Sequence, residues 1–184
     1  MGFVHNGLSV STGGLVSSLF ALARGVPENV AGHAAALYWG CVMVGRLLVG
    51  VVIDRVGSVR LLRVSTPVAV LGALALWFAP SPALGFAALV VMGLTLAPVY
   101  PTMISRTPAL VGAERSAYAI GLQTAAASLG SAVLPWLLGG VAGLNGAWGG
   151  AGLIAPGLVV LTLLQLTAHE ALVRQTPKRP VAAL

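Results

Sequence analysis

Between Arg63 and Arg106 the chain runs for 42 residues without one Asp, Glu, Lys or Arg. One helix needs about 20 apolar residues to cross the hydrocarbon core of a bilayer, so this run is long enough for two crossings. Pro80-Ser81-Pro82 stands near its middle, where a turn has to divide them. The same arithmetic applies to the 54 residues from Ser116 to His169, with a second turn expected over Gly143 to Gly150. Of 184 residues, 14 carry formal charge, or 8%, and 58% are hydrophobic. Soluble domains run to about 25% charged, so a chain this poor in charge cannot cover a water-facing surface. A soluble enzyme and a nucleic-acid-binding domain are excluded on that ground, and the lipid bilayer is the first partner implied. The net charge of +6 forms no patch, because the basic residues fall in clusters separated by long uncharged runs.

These divisions predict an all-α, polytopic membrane protein. Six spans are expected, at about 3–23, 31–53, 64–79, 83–105, 117–140 and 149–168, in one bundle followed by a tail at 169–184. Residues 2–23 carry no preceding basic region and are too long and polar for a signal core, so they read as a span and not a cleavable leader. Counting Lys and Arg on alternate sides places Arg55, Arg60, Arg63, Arg106, Arg115, Arg174, Lys178 and Arg179 on one side and Arg24 alone on the other. The positive-inside rule then makes the loops at 54–63 and 106–115, the tail and the amino terminus cytoplasmic, in the cell membrane. One cysteine, Cys41, allows neither an internal disulfide nor a thiolate metal site.

Polar residues inside the spans are unevenly placed. His5, Ser9 and Thr12 fall at i, i+4 and i+7, with Asn6 beside them, and the fifth span carries Gln123 with Ser131 and Thr124 with Ser128 at helical spacing. A polar stripe at membrane depth should face a water-filled cavity or a neighbouring helix. The third and sixth spans have few polar residues away from their ends, so the expected arrangement sets spans one, two, four and five around a polar pathway and spans three and six outside. Pro98, Pro101 and Pro135 lie at membrane depth, where each frees a backbone carbonyl, whether as a packing kink or as part of the pathway. The small pairs Gly121/Ala125, Ala126/Gly130 and Gly139/Gly143 allow close helix approach.

Tyr38-Trp39-Gly40, then Gly45-Arg46-Leu47-Leu48, then Gly50-Val51-Val52-Ile53-Asp54-Arg55-Val56-Gly57 form a recognisable series. The series resembles the carboxyl-terminal half of a major facilitator superfamily transporter, closest to the fucose-permease-like sugar branch. Its Gly-x-x-x-Asp-Arg-x-Gly run is similar to the signature loop between the second and third helices of each half. Pro98-Val99-Tyr100-Pro101-Thr102 resembles the fourth helix of that half, and Gly121-Leu122-Gln123-Thr124 through Gly130 to Pro135-Trp136 the fifth. The resemblance implies six helices as two inverted three-helix repeats, half of a twelve-helix transporter. It also implies secondary active transport of a small polar, sugar-like solute by alternating access. A missing amino-terminal six-helix half, or a second copy, is the implied partner, and the chain is expected to be a fragment. Departures are specific. Ser58 and Val59 stand where two basic residues are usual, with Arg60 one place later. In the first helix His5, Ser9 and Leu15 occupy the places of a tyrosine, an acid and a tryptophan.

Arg46 is the only charged residue well inside a span, and an unpaired charge there costs at least about 2.5–3.5 kcal/mol. It either faces the pathway, where it would contact an anionic or hydroxyl-rich solute or support gating, or snorkels to the interface. His5, Asn6, Ser9, Thr12, Trp39, Tyr100, Gln123 and Thr124 complete the substrate-pathway candidates, with hydroxyls and amides for hydrogen bonds and rings for sugar faces. Gly50, Asp54, Arg55, Gly57 and Arg60 form the candidate gating loop, read either as a latch or as solvated charge. All four acids, Glu28, Asp54, Glu114 and Glu170, lie in loops or at helix ends, so no carboxylate is placed for proton coupling and His5 is the titratable alternative. No Gly-x-Ser-x-Gly run, zinc motif or phosphate-cradling loop occurs, and no cofactor or metal is expected. Efflux of small drug-like compounds by the same fold, a six-span intramembrane protease and a non-transporting scaffold are the alternatives.

Overall fold

The structure, a computed structural model, describes residues 1–144 and 150–175. Seven helices account for nearly all of them: α1 (Gly2–Ser18), continued by a π-helical turn over Leu19–Ala23, α2 (Glu28–Val56), α3 (Ser58–Phe78), α4 (Pro82–Leu96), α5 (Val99–Val111), α6 (Ala113–Gly143) and α7 (Ile154–Gln175), which a short 3-10 turn at Ala151–Leu153 precedes. Among the described residues, five stretches are long and apolar enough to cross a membrane: Glu28–Val56, Ser58–Phe78, Pro82–Val111, Ala113–Gly143 and Ala151–Leu172. α1 with its π turn stands where the first of the six expected crossings falls, and the protein is an all-α polytopic membrane protein. The expected turn over Gly143–Gly150 has its centre, residues 145–149, outside the described residues, as do Lys178 and Arg179 of the tail.

Local chemistry explains where the helices stop. Between α3 and α4, Ser81 caps α4 by accepting from the Leu84 amide at 3.4 Å, and Pro82 starts the first turn, where its missing N–H costs nothing. Pro98 parts α4 from α5, so the fourth crossing is two helices on one path. The charged connections expected at 54–63 and 106–115 are instead single glycines. Gly57 (φ 80°) ends α2 and starts α3, and Gly112 (φ 89°) does the same for α5 and α6. Asp54 and Arg55 therefore lie in the last turn of α2, and Arg60 and Arg63 lie on α3. Helices whose ends leave the hydrocarbon keep their hydrogen bonds in water, so charge does not mark where they end. The expected tail likewise begins as helix, because α7 continues to Gln175.

Packing has an internal symmetry. Close neighbours are α1 with α6, α2 with α4, α3 with α4, α1 with α7, α1 with α2, α5 with α6, and α3 with α7. Exchange of the first three crossings for the last three turns the first of these pairs into the second, the third into the fourth and the fifth into the sixth, and leaves the α3–α7 pair in place. Three crossings per repeat reverse the direction of the chain, so the repeats are inverted. Glycine builds both symmetry-related seams. A side chain on Gly130 would strike the Phe3 carbonyl, and one on Gly7 the Gly130 carbonyl, across α1 and α6. Across α2 and α4, Gly93 meets the Tyr38 carbonyl and Gly45 meets Ala97. Between these seams Leu8, Phe20, Tyr38, Leu76, Leu89, Met92 and Leu158 fill the core.

The third and sixth crossings carry more buried polar residues than their sequence suggests. On α7, Thr162, Gln165 and His169 are buried, and on α3 so are Ser65 and Thr66. An isolated Thr and Gln three residues apart form too short a pattern to read as a stripe. The most exposed crossings are α2 and α6, in which apolar stripes at Met43, Leu47 and Val51 and at Leu122, Leu129 and Trp136 face outward. Arg24 donates to the Leu76 carbonyl near the end of α3 and lies 5.1 Å over the Phe20 ring, so this lone basic residue anchors a helix end instead of standing in solvent.

Candidate functional site

A cavity of about 400 Å³ is lined by Asn6 of α1, Arg46 and Val49 of α2, and Tyr100 and Pro101 of α5. Three of the pathway candidates thus come from three different helices to one wall. Tyr100 and Pro101 are placed by the Pro98 break, which starts α5 at this level. Arg46 lies well inside α2 with an exposed side chain on the cavity, so its charge faces open space and not the apolar core.

Behind the wall, side chains are held in place by one another. Asn6 donates from Nδ2 to Ser131 Oγ of α6 at 3.3 Å. The His5 ring stacks against Tyr100 with centroids 6.5 Å apart and planes 12° apart, and its Nδ1 donates to Gln165 Oε1 of α7 at 3.2 Å. Thr124 Oγ1 donates to the Ile120 carbonyl at 2.9 Å, which leaves the Tyr100 hydroxyl to donate to Thr124 at 3.4 Å. Each bond crosses between helices or locks a rotamer, so the Tyr100 ring and the Asn6 amide share a pre-set geometry.

The remaining candidates lie further off. Ser9 shares a 2.9 Å hydrogen bond with the hydroxyl of Tyr38, and Thr12 donates to the Leu8 carbonyl at 2.8 Å, both inside the α1–α2 interface. Trp39 is half exposed, stands edge-on to Tyr38 at 5.3 Å and lies over Gly13, whose missing side chain makes room for the indole. Gln123 Oε1 accepts from Thr107 at 3.1 Å, which joins α6 to α5. Gly50, Asp54, Arg55, Gly57 and Arg60 are all exposed around the α2–α3 joint, away from the cavity wall. Of the residues that hold the candidates in place, sequence reasoning passes over Gln165 and Thr107, whereas Ser131 stands in the fifth span's polar pattern and Tyr38 in the family-like series. Gln165 has a signal of its own, an amide in the middle of an uncharged run.

This wall offers one cation, amide and phenol hydrogen-bonding groups and an aromatic face, and no carboxylate is among its lining residues. Such a set can form hydrogen bonds and an ion pair with a bound molecule. In comparison with known proteins, residues 1–183 match the family described as the Major Facilitator Superfamily. No curated protein and no solved structure matches the chain.

Proposed function

The chain belongs to the major facilitator superfamily, and from that premise we propose that it carries a small polar, sugar-like solute across the cell membrane by alternating access, as one of two bundles that close around the solute. One observation carries the reading: the polar wall of Asn6, Arg46 and Tyr100 lines a cavity that its own bundle does not enclose. A second six-helix bundle, encoded in a longer chain or supplied by another copy, would complete the enclosure. Asp54, Arg55 and Arg60 are proposed to latch the arginine-rich end against it.

Reconstitution into proteoliposomes tests the proposal. Residues 1–184 at a dilution that keeps them monomeric are expected to accumulate no labelled sugar, and uptake is expected when the second bundle is present. Accumulation by the monomeric chain would overturn the two-bundle reading. Efflux of lipophilic compounds is favoured by a different observation, an apolar cavity of about 420 Å³ between α6 and α7 that includes Leu134, Leu138, Pro156 and Val160. Transport of lipophilic dyes with no response to sugars would decide for it.

The proposed orientation sets the amino terminus and the ends joined at Gly57 and Gly112 in the cytoplasm, from the eight-to-one split of basic residues. Single cysteines at Ser58 and Ser81 in a Cys41-replaced chain give the check. An impermeant maleimide applied to intact cells is expected to label position 81 and spare position 58. The reverse pattern would invert the protein in the membrane.

A further inference from the structure

Three helices bring positive charge together at the arginine-rich end, outside the cavity and independently of the transport proposal. Arg63 on α3 and Arg106 on α5 both act electrostatically on His169 of α7, and α3 packs against both other helices. His169 is 3% exposed, and its Nε2 has no hydrogen-bond partner among the described residues. A buried polar atom without a protein partner is costly, so Nε2 has a hydrogen bond to give to a water or to a ligand oxygen. The arginines make no ion pair among the described residues. Glu170, the one acid acting on His169, is exposed to solvent.

We propose that Arg63, Arg106 and His169 form a binding site for a phosphate group, either that of an anionic lipid headgroup or free phosphate. Two guanidiniums supply charge and paired donors suited to phosphate oxygens, and the imidazole N–H supplies a third donor from the buried side. The position suits a headgroup, because α7 here passes the end of its apolar stretch at Leu172. Basic pockets between helices at this level bind anionic headgroups, with about 1 kcal/mol per basic residue near the surface.

The 184-residue chain in uncharged detergent supplies the test, by native mass spectrometry with phosphatidylglycerol or phosphatidylcholine and by equilibrium dialysis with labelled inorganic phosphate. The wild type is expected to retain phosphatidylglycerol in preference to phosphatidylcholine. R63Q/R106Q should lower that retention roughly tenfold or more, His169→Leu should lower it several-fold, and R63K/R106K, which keeps the charge, should keep most of it. Arg115→Gln removes a charge at the same end, outside the trio, and should change little. Phosphate that binds alone and displaces the lipid identifies free phosphate as a ligand; lipid binding that phosphate does not displace identifies the headgroup. Equal loss in Arg115→Gln and R63Q/R106Q, no loss in R63Q/R106Q, or no preference for either phosphate probe would overturn the site.

Discussion

Arg46→Gln is expected to weaken solute uptake by the assembled transporter by at least about thirtyfold. Loss of one partner from a buried, hydrogen-bonded charge pair costs about 2–5 kcal/mol, the setting Arg46 would have once a second bundle closes over it, and Arg46 is the only cation among the described residues that line the cavity. Arg46→Lys keeps the charge but not the planar fork, so an intermediate loss is expected if the guanidinium binds a carboxylate or a pair of hydroxyls. The effect should fall on apparent affinity, read as KM in proteoliposome uptake, while the protein inserts and folds as before. An Arg46→Gln variant with unchanged KM would remove Arg46 from the solute site and leave it as a snorkelling residue.

Gly130→Leu is expected to separate α1 from α6 and lower stability by about 3 kcal/mol or more. A side chain at this position runs into the Phe3 carbonyl, which is backbone and cannot turn aside, and forced overpacking costs about 1–3 kcal/mol even where side chains can yield. Gly121→Ala is the contrasting case, because nothing lies within 4 Å of the added carbon. It should be neutral or slightly stabilising, since Gly is about 1 kcal/mol less favourable than Ala in a helix. Unfolding in mixed micelles followed by circular dichroism measures both. Equal stability of Gly130→Leu and wild type would show that the α1–α6 seam is looser than described.

How far these features can be read from sequence depends on how each is encoded. Charge-free length is a one-dimensional property, so the crossings and the turn at Pro80-Ser81-Pro82 are plain from the order of residues alone. Family membership is carried by the Gly50–Gly57 run and its neighbours, which the match over residues 1–183 supports as a whole. Helix ends are less legible, because Arg60 and Arg63 look like loop residues when only polarity is counted, yet they continue α3 into the interface. Small-residue pairs are a partial guide. Gly130 of the Ala126/Gly130 pair lies against Phe3 in the α1–α6 seam, Gly121 and Gly143 have the same spacing and touch nothing, and Gly7, Gly45 and Gly93, outside the noted pairs, lie against neighbouring helices. Spacing says that two helices could approach, but only the three-dimensional pairing says which ones do. In the site, Asn6, Arg46 and Tyr100 are recognisable as polar groups at membrane depth. Gln165 and Thr107 are not, because a residue that positions another has no spacing of its own.

The one-residue joints at Gly57 and Gly112 act as fulcrums. Both sit between long helices, both hold a backbone angle that a side chain would oppose, and neither has neighbouring chain to absorb motion. The 21 residues of α3 make a rod of about 31 Å. A swing of about 10° pivoted at Gly57 would carry the far end of α3 through about 5 Å, roughly one turn of helix, while the pivot itself hardly moves. In such a swing the end with almost no slack in its connections would be the quiet end of the lever, and the largest displacement would arise where α3 turns into α4 and Arg24 donates to the Leu76 carbonyl.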